Sequence, residues 1–433
     1  MVVTRKTPEL LCPAEFTPHE FKSLSDIDDQ TTLRLYVTAI NFYKKNPSME
    51  GKDLVKIIRE AIAKALVFYY PLAGRLREHT GRKLVVECTG QGVVFAEADA
   101  DVTLQHFEED GLYPPFPNLD AITLDVPNNQ GVLFDIPLMF IQDLSFPSVS
   151  ITQCAMVSAF PNFCPPWVNL LAERRPLLFD QFGTDIFLAP PSRRACRAHR
   201  EYDVATGTSG GAHVPLDQMV ERSFLFGSAE ISALRRILPP HLQRCSKFDI
   251  VAGCTWRCQT IALSPEPDEE IRFIGVMDNR KQIKPPLPVG YSGNVISLPV
   301  AVTTAGELSK NPLHYTVELV TKAKREATTD KYLRSVASLM VMRDRPNVTG
   351  MNTYMVSNMM HVSLNQMDVG WGTAAYGGVA KGILWPTVNM QIAWYHGYKD
   401  GFVVPVSLPL KSMKVFEKHL RVMITTAPTH SSL

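Results

Sequence analysis

The segment Asp368-Val369-Gly370-Trp371-Gly372 brings a carboxylate, an indole and two glycines together within five residues. Gly370 and Gly372 permit a sharp turn, and Trp371 can pack against a bound group or donate its N–H to it. Asp368 has two interpretations, as a participant in proton transfer or as an anchor that holds the loop through an ion pair. These residue types predict a sharply turning loop whose side chains could contact a bound group.

Histidine and cysteine side chains offer little support for a second catalytic or metal site. His199 and His213 flank a stretch rich in Gly, Ser and Thr, and His361 precedes the pentapeptide by seven residues. Isolated histidines at such places are predicted to be surface or hydrogen-bonding residues. Cys254 and Cys258 are one helical turn apart without a second pair of ligands, which favours structural thiols over a metal site.

The composition indicates a globular protein of about two domains. The chain has 433 residues, of which 45% are hydrophobic and 20% charged, too many residues for one ordinary core. The net charge of +1 argues against nucleic-acid or membrane partners. An apolar run of 18 residues and a secretory h-region are both absent, and eight scattered cysteines fit reduced thiols. We expect a cytoplasmic monomer.

Apolar periodicity predicts a helix and two strands in the first part of the chain. Residues 51–69 place apolar side chains on one face and Lys, Arg and Glu largely on the other, and Pro71 ends this amphipathic helix. Residues 83–88 and 92–98 are β-rich runs, and the Thr-Gly-Gln between them predicts a hairpin.

Similar patterns in the second half predict further helices and strands. Ser246 and Asp249 have the spacing of a capping box, which predicts the start of an apolar helix. The other predicted elements are a strand at 271–276, helices at 313–327 and 331–342, a strand at 401–406 and a closing helix at 410–420.

These elements predict an α/β fold of two similar mixed-sheet domains. The N-terminal domain is expected at 1–198 and the C-terminal domain at 217–433. Residues 199–216, rich in Gly, Ser and Thr from Val204 to Val214, are expected to be a flexible linker.

Several short motifs, in order along most of the chain, resemble those of the plant BAHD acyltransferases. These enzymes carry an L-S-x-x-D segment, a P-P-L-P-x-G-Y-x-G-N segment and a late D-F-G-W-G. A further segment resembles the subgroup that makes volatile esters from benzyl or methyl alcohols. The segments are Leu24 to Gln30, Tyr70 to Leu76, the subgroup segment His199-Arg200-Glu201-Tyr202-Asp203, Pro285 to Asn294, and Asp368 to Gly372, with Val369 in place of phenylalanine.

The resemblance implies a coenzyme A-dependent acyltransferase with an active-site tunnel between its two domains. Acyl-CoA is then a co-substrate, no cofactor or metal is bound, and a benzoyl, anthraniloyl or acetyl group passes to a small alcohol to form an ester. The family's N-x-R triplet stands here as Asp278-Asn279-Arg280. Arg280 is therefore implied to be a substrate-site residue, Asp368 to pair with it, and the pentapeptide to be an active-site loop.

Other charged residues near these motifs have less specific interpretations. Asp26 and Asp28 are predicted to be capping and surface residues rather than a catalytic carboxylate pair. The segment from Lys281 to Lys284 could contact coenzyme A phosphates or simply be a solvated loop.

The resembling family also carries H-x-x-x-D-G near its middle, and this chain does not. Acyl transfer to an alcohol needs a general base, usually histidine and worth about 10²–10⁴-fold in rate. Where that motif is expected, Ile151-Thr152-Gln153-Cys154-Ala155 offers no base that works at neutral pH. Cys154 lacks the paired histidine of a nucleophile. The sequence predicts an impaired enzyme, with a catalytically dead coenzyme A-binding protein and a pseudogene product as alternatives.

The surrounding segment, from Asp143 to about Ala198, is rich in proline and shows no helical or strand period. We expect it to pack poorly and to disrupt the N-terminal domain. If each codon is read from its third base, residues 151–158 permit H-T-M-C-D-G-F, and Met156-Val157 forces its glycine. We predict a frame-shifted translation of this segment. The alternative is a genuinely diverged loop.

Overall fold

The structure is a computed structural model that describes most of the chain. The described residues are 2–44, 47, 50–108, 111–126, 134–145, 149–157, 199–203, 218–288, 291, 293–348, 352–359, 374–381, 383–387, 390–398 and 401–425. Within them no helix is long and apolar enough to cross a membrane.

The described residues contain both strands and helices along their whole length. The strands are β1 Val3–Arg5, β2 Glu9–Leu11, β3 Phe21–Ser23, β4 Tyr36–Lys44, β5 Arg75–Glu78, β6 Leu84–Glu87, β7 Val93–Ala100, β8 Met139–Ser145, β9 Val149–Val157, β10 Met219–Phe226, β11 Glu270–Asp278, β12 Ile296–Ser297, β13 Val300–Thr304, β14 Thr353–Asn358, β15 Tyr376–Val379, β16 Ile383–Thr387, β17 Met390–Tyr398 and β18 Gly401–Pro409. The helices are α1 Leu54–Phe68, α2 Gln105–Glu108, α3 Leu119–Ile122, α4 Ser228–Arg236, α5 Lys247–Leu263, α6 Ala305–Lys310, α7 Leu313–Ala327, α8 Asp330–Met342 and α9 Leu410–Thr425.

Most predicted elements of the second half are confirmed, because their signals are local. The helix predicted from Ser246 is α5, and Ser246 and Asp249 form its capping box: the Asp249 N–H donates to Ser246 Oγ at 3.1 Å, and the Ser246 N–H donates to Asp249 Oδ2 at 3.2 Å. α7, α8, β18 and α9 also lie where the apolar periodicity placed them.

The first sheet has seven strands among the described residues and contains the segment where the base motif is expected. Its strand order is β1-β7-β8-β9-β4-β15, with β2 also paired to β7. β9 lies between β8 and β4 and pairs antiparallel with both along its length. An interior strand of this kind has its backbone hydrogen bonds made on both sides.

The prediction that the chain packs poorly from residue 143 onward is wrong for its first part. Residues 143–145 complete β8, and residues 149–157 form β9, with buried side chains from Ile151 to Met156. The physical reason is local composition. Residues 149–157 contain no proline and include the β-branched Val149, Ile151 and Thr152, which favour a strand. Residues 158–198, with most of the clustered prolines, lie outside the described residues.

The two β-rich runs predicted as a hairpin are both strands, but they belong to different sheets. β6 pairs with β3 and β5 in a three-stranded sheet, whereas β7 pairs with β1, β2 and β8. Between them Gly92 has φ +91°, and its N–H donates to the carbonyl of Ala73 at 3.0 Å. This left-handed turn sends the chain into the other sheet instead of folding it back.

The second half forms an eight-stranded sheet, but the two halves share structure across the predicted domain boundary. The order is β10-β18-β17-β14-β11-β12, with β13 beside β11 and β16 beside β17. β15 leaves this half and pairs antiparallel with β4 of the first sheet. One apolar core also combines residues of both halves, such as Leu24 and Ile27 with Tyr291 and Leu333.

The predicted flexible linker, residues 199–216, begins with a short segment at 199–203 in which His199, Glu201 and Tyr202 are buried and Arg200 is exposed. His199 is buried, residues 200–202 form a short 3₁₀ turn, and Tyr202 is buried in the shared core. The hydroxyl of Tyr202 donates to Gln30 Oε1 at 2.5 Å. Residues 204–217 lie outside the described residues, so the prediction of flexibility stays a prediction for them.

Candidate active site

The five residues Ile151 to Ala155, at the place where the base motif is expected, lie in the middle of β9. Ile151 belongs to the apolar cluster on one side of the first sheet, and Cys154 belongs to the larger core on the other side. Thr152 donates its hydroxyl to Asp143 Oδ1 across the β8–β9 ladder at 3.2 Å. Cys154 is therefore a core thiol in an apolar setting, which fits a structural role better than a nucleophilic one.

Gln153 is the one side chain of these five with a strongly polar head, and both of its polar atoms are engaged. Its Oε1 accepts from the backbone N–H of Leu124 at 2.5 Å, and its Nε2 donates to the carbonyl of Leu124 at 3.2 Å. On the neighbouring strand β8, Gln142 makes a similar contact, since its Nε2 donates to the carbonyl of Ile122 at 2.7 Å. The two glutamines therefore hold the end of α3 and the residues that follow it against the sheet.

The L-S-x-x-D segment near the N-terminus forms a buried turn, which corrects the prediction of surface aspartates. Asp26 and Asp28 are both almost fully buried. Asp28 Oδ2 accepts from the Ser25 hydroxyl at 2.6 Å, and Asp28 Oδ1 accepts from the backbone N–H of Asn294 at 2.7 Å. Burial raises the pKa of Asp28 to about 6, although these donors and the charge of Arg280 act in the opposite direction.

Arg280 contacts the same stretch of backbone as Asp28, the residues just before Asn294. Its Nη1 donates to the carbonyl of Tyr291 at 3.0 Å, and its Nη2 donates to the carbonyl of Gly293 at 2.6 Å. Its guanidinium also lies over the Tyr291 ring, 5.8 Å from the centroid. Lys281 and Lys284 are exposed beside it. The implied pairing of Arg280 with Asp368 stays a prediction, because Asp368 lies outside the described residues.

Asp26 and Asp29 form a charged cluster with three basic side chains. Arg345 Nε lies 2.5 Å from Asp29 Oδ2, and Lys83 Nζ lies 2.7 Å from Asp26 Oδ1. Arg34 adds a contact of 3.4 Å to Asp29 Oδ1. Arg345 comes from the second half of the chain, so this ion cluster ties the two halves together at the same buried turn.

His199 is a buried, hydrogen-bonded residue, which confirms the hydrogen-bonding alternative predicted for it and not the surface one. Its Nδ1 is hydrogen-bonded to Glu201 Oε1 at 2.9 Å and its Nε2 to Ser335 Oγ at 2.8 Å. The Tyr332 hydroxyl donates to the same Glu201 oxygen and also lies 3.1 Å from the carbonyl of Leu298. All four side chains are buried. The subgroup-like segment at 199–203 was the one sequence signal for this site. Its partners on α8, Tyr332 and Ser335, lie 131 and 136 residues away, and no sequence pattern links them to it.

The predicted active-site loop lies outside the described residues. This applies to Asp368, Gly370, Trp371 and Gly372, and equally to His213 and His361. Within the described ranges, no group of three His, Cys, Asp or Glu side chains could hold a metal ion. Cys254 and Cys258 are buried on α5.

Comparison with known proteins gives the family directly. The profile of the Transferase family matches residues 1–423. The chain is 43% identical to a benzyl alcohol O-benzoyltransferase of Nicotiana tabacum, over 99% of this chain and 95% of the relative. It is 40% identical to a (Z)-3-hexen-1-ol acetyltransferase of Arabidopsis thaliana, over 96% of this chain and 94% of the relative.

Solved structures share the fold of this chain. Vinorine synthase superposes with a TM-score of 0.70 at 16% identity and covers 98% of each chain. F. graminearum TRI101, complexed with coenzyme A and T-2 mycotoxin, superposes with a TM-score of 0.75 at 14% identity, over 91% of this chain and 96% of that one. The mixed-sheet α/β architecture and the matched profile agree with the motifs at Leu24–Gln30 and Pro285–Asn294. The chain belongs to the Transferase family, the BAHD acyl-CoA-dependent O-acyltransferases.

Proposed function

We propose that this chain binds an acyl-CoA thioester and a small alcohol but transfers the acyl group at a strongly reduced rate. The observation that carries the proposal is the state of β9. The residues from Ile151 to Ala155 include no side chain that accepts a proton at neutral pH, and the amide of Gln153 is engaged at both ends by Leu124.

The chemistry of acyl transfer explains why the lack of a base in β9 matters. The alcohol oxygen attacks the thioester carbonyl carbon, so that a C–O bond forms and the C–S bond breaks. The alcohol proton must leave as the oxygen attacks, and the departing thiolate must finally be protonated. A base near pKa 7 provides about 10²–10⁴-fold, and hydrogen-bond donors for the oxyanion commonly provide about 10²–10³-fold. Without the base the remaining features bind and orient the reactants.

The substrate class follows from the relatives. They are named for benzyl alcohol, (Z)-3-hexen-1-ol and other alcohols as acceptors, and for benzoyl and acetyl groups among those transferred. We propose a benzoyl, anthraniloyl or acetyl donor and a small alcohol acceptor for this chain. Acyl-CoA is then a co-substrate in a tunnel between the two halves, with Arg280, Asp368 and the loop at Gly370 to Gly372 beside it. The protein is proposed to act as a cytoplasmic monomer.

A catalytically dead coenzyme A-binding protein is the second candidate. It is favoured by the arrangement around Asp28, Arg280 and Asn294, which is fully formed although the base motif is absent. Thioester binding and ester formation therefore need separate measurements.

The proposed frame shift supplies a matched control. A repaired chain would be encoded with the codons of residues 143–198 read in the shifted frame, which permits H-T-M-C-D-G-F. Its support is the glycine forced by Met156-Val157 and the return to family-like sequence at His199. A transcript whose alternative frame lacks that string would remove this support.

The experiment compares the purified chain with the repaired chain. Ester formation from benzoyl- or acetyl-CoA and benzyl alcohol is followed by gas chromatography, and thioester binding by calorimetry. We expect saturable binding by both chains but rapid ester formation by the repaired chain alone. Turnover near 1 s⁻¹ by the unrepaired chain, an ordinary rate for a working enzyme, would show that the base has been misassigned. Binding without turnover in the repaired chain would favour the binding-protein candidate.

A further inference from the structure

A buried carboxylate from the beginning of the chain contacts a turn that lies 266 residues later. Asp28 Oδ1 accepts from the backbone N–H of Asn294 at 2.7 Å. Both residues are buried, Asp28 with only 2% of its surface exposed. A charge-assisted hydrogen bond from a carboxylate to a backbone N–H in such a place is among the stronger interactions available to a loop.

The carboxylate is itself held in place. Its other oxygen, Oδ2, accepts from the Ser25 hydroxyl at 2.6 Å, and the Ser25 oxygen accepts in turn from the Asp28 N–H at 3.0 Å. These two hydrogen bonds close a turn that fixes the rotamer of Asp28 independently of its contact with Asn294. The acceptor is therefore positioned by its own segment and not by the C-terminal turn.

Arg280 completes the arrangement on the other side of the turn. Its two Nη atoms donate to the carbonyls of Tyr291 and Gly293, at 3.0 and 2.6 Å. Asp28 thus holds an N–H, and Arg280 holds carbonyls, of one short stretch of chain. A displacement of the stretch changes where the guanidinium of Arg280 points.

Gly293 shows how closely these parts fit. A Cβ at this position would lie 2.3 Å from the Tyr291 hydroxyl and 3.0 Å from Asp28 Oδ2. The first distance is one that real Cβ atoms essentially never show, so a larger residue would have to displace the ring or the carboxylate. Glycine is needed at residue 293 because the Tyr291 hydroxyl and the Asp28 carboxylate lie so close to its backbone.

We infer that Asp28 is a positioning residue for the acyl-CoA site: it fixes the backbone at Asn294 and, through the neighbouring carbonyls of Tyr291 and Gly293, the guanidinium of Arg280. The inference rests on the proposed function, because Arg280 matters to catalysis only if the thioester binds at this site. Asp28 is proposed to act through Arg280 and not on the reacting atoms.

The neighbouring aspartate provides a matched control. Asp29 is equally buried and belongs to the same turn, but it pairs with Arg345 and Arg34 and accepts from the Leu84 N–H at 3.2 Å. Its loss should weaken the contact between the halves without releasing Asn294. A purely structural role for this whole turn would give Asp28→Asn and Asp29→Asn the same phenotype.

The first readout needs no ligand. Hydrogen exchange of the full chain is measured by mass spectrometry on a peptide that contains residues 291–298. Asp28→Asn is expected to speed exchange of the Asn294 amide about tenfold, since one buried hydrogen bond is weakened. Gly293→Ala should do the same, and Asp29→Asn should leave this peptide unchanged while lowering Tm. Equal exchange in the Asp28 and Asp29 variants would overturn the inference.

The second readout is the Kd for benzoyl-CoA, measured by calorimetry on the same variants. We expect Asp28→Asn to weaken binding at least fivefold more than Asp29→Asn. If the parent chain binds no thioester, the proposed function fails, and the exchange comparison still decides whether Asp28 holds the turn. If Asp28→Asn does not fold, Ser25→Ala takes its place, because it removes one donor and keeps the carboxylate. Unchanged exchange and binding in Ser25→Ala would then overturn the inference.

Discussion

Gln153 in the middle of β9 is bonded at both ends of its side-chain amide to one residue, Leu124. The carbonyl oxygen of the amide accepts from the Leu124 N–H at 2.5 Å, and its nitrogen donates to the Leu124 carbonyl at 3.2 Å. The position where a proton acceptor is expected thus belongs to a structural contact between the first sheet and the chain after α3.

Replacement of Gln153 by leucine tests that role. Gln153→Leu should lower the free energy of unfolding by about 1–3 kcal/mol, because it leaves the two backbone groups of Leu124 without their partner. Urea denaturation followed by circular dichroism measures the change. The exposed Gln105 on α2 is the control, and Gln105→Leu should stay within about 0.5 kcal/mol of the parent. Equal losses in the two variants would contradict the structural role of Gln153.

Asp28 should give a specific pH dependence. Its pKa is raised from 3.8 to about 6, mainly by burial, so the folded chain binds this proton more tightly than the unfolded chain. Its contribution to stability is then fully present below about pH 4 and is lost as the pH rises to about 6, by about 3 kcal/mol in total.

The comparison with Asp28→Asn isolates this contribution, because other titrating groups are common to both proteins. The stability advantage of the parent over Asp28→Asn should shrink as the pH rises from about 4 to about 7, as measured by denaturant unfolding at each pH. The facing groups are Ser25, Tyr291, Asn294 and Arg280. An advantage that grows over this pH range would mean that burial does not dominate the pKa of Asp28.

The buried hydrogen bond between His199 and Ser335 should also contribute to stability. Ser335→Ala leaves the His199 Nε2 without its partner and is expected to cost about 1–3 kcal/mol. Ser338→Ala is a control on the same helix, because the Ser338 hydroxyl donates only to the carbonyl of Arg334 one turn earlier, at 3.0 Å. Thermal unfolding of both variants would show whether the larger loss follows Ser335, and a larger loss in Ser338→Ala would contradict it.

The sequence predicted those features whose interactions lie between residues close together in the chain. The capping box of Ser246 and Asp249 is contained in four residues, so α5 was predicted with its start at the right residue. β9 was missed because prolines from residue 161 onward suggested one disrupted segment, whereas residues 149–157 are proline-free.

The polar contacts of the candidate site are the part that sequence could not provide. The hydrogen bond from Asn294 to Asp28 joins residues 266 positions apart, and the one between His199 and Ser335 spans 136. Local patterns favoured a surface position for Asp28 and left either a surface or a hydrogen-bonding role for His199, since short polar segments usually lie at the surface. Burial of both follows from the packing of one half of the chain on the other, which periodicity within a segment does not encode.

The ion cluster at Asp29 should be far more sensitive than a surface ion pair of the same type. Arg345→Met leaves the buried carboxylate of Asp29 with fewer cationic partners and is expected to cost about 3–5 kcal/mol. Arg343, two residues earlier, pairs with Asp203 at 3.4 Å with both side chains largely exposed, so Arg343→Met should cost less than about 1 kcal/mol. Denaturant titration of the two variants gives the comparison, and similar costs would argue against a buried cluster.

The role of Asp368 can be separated from stability in the repaired chain, where turnover is expected. Arg280 already donates to the carbonyls of Tyr291 and Gly293, so an ion pair with Asp368 would fasten the pentapeptide loop to an arginine that is itself held in place. As an anchor, Asp368 should lower soluble yield, Tm and ester formation together when it is changed to asparagine. Arg280→Gln should give the same pattern.

The double variant distinguishes the anchor from a chemical role. If Asp368 and Arg280 act as one pair, Asp368→Asn combined with Arg280→Gln should lower Tm by less than the sum of the single changes. Thermal unfolding and the rate of ester formation are measured on all four proteins. A loss of turnover in Asp368→Asn with an unchanged Tm, together with additive Tm shifts, would instead identify Asp368 as a participant in the reaction.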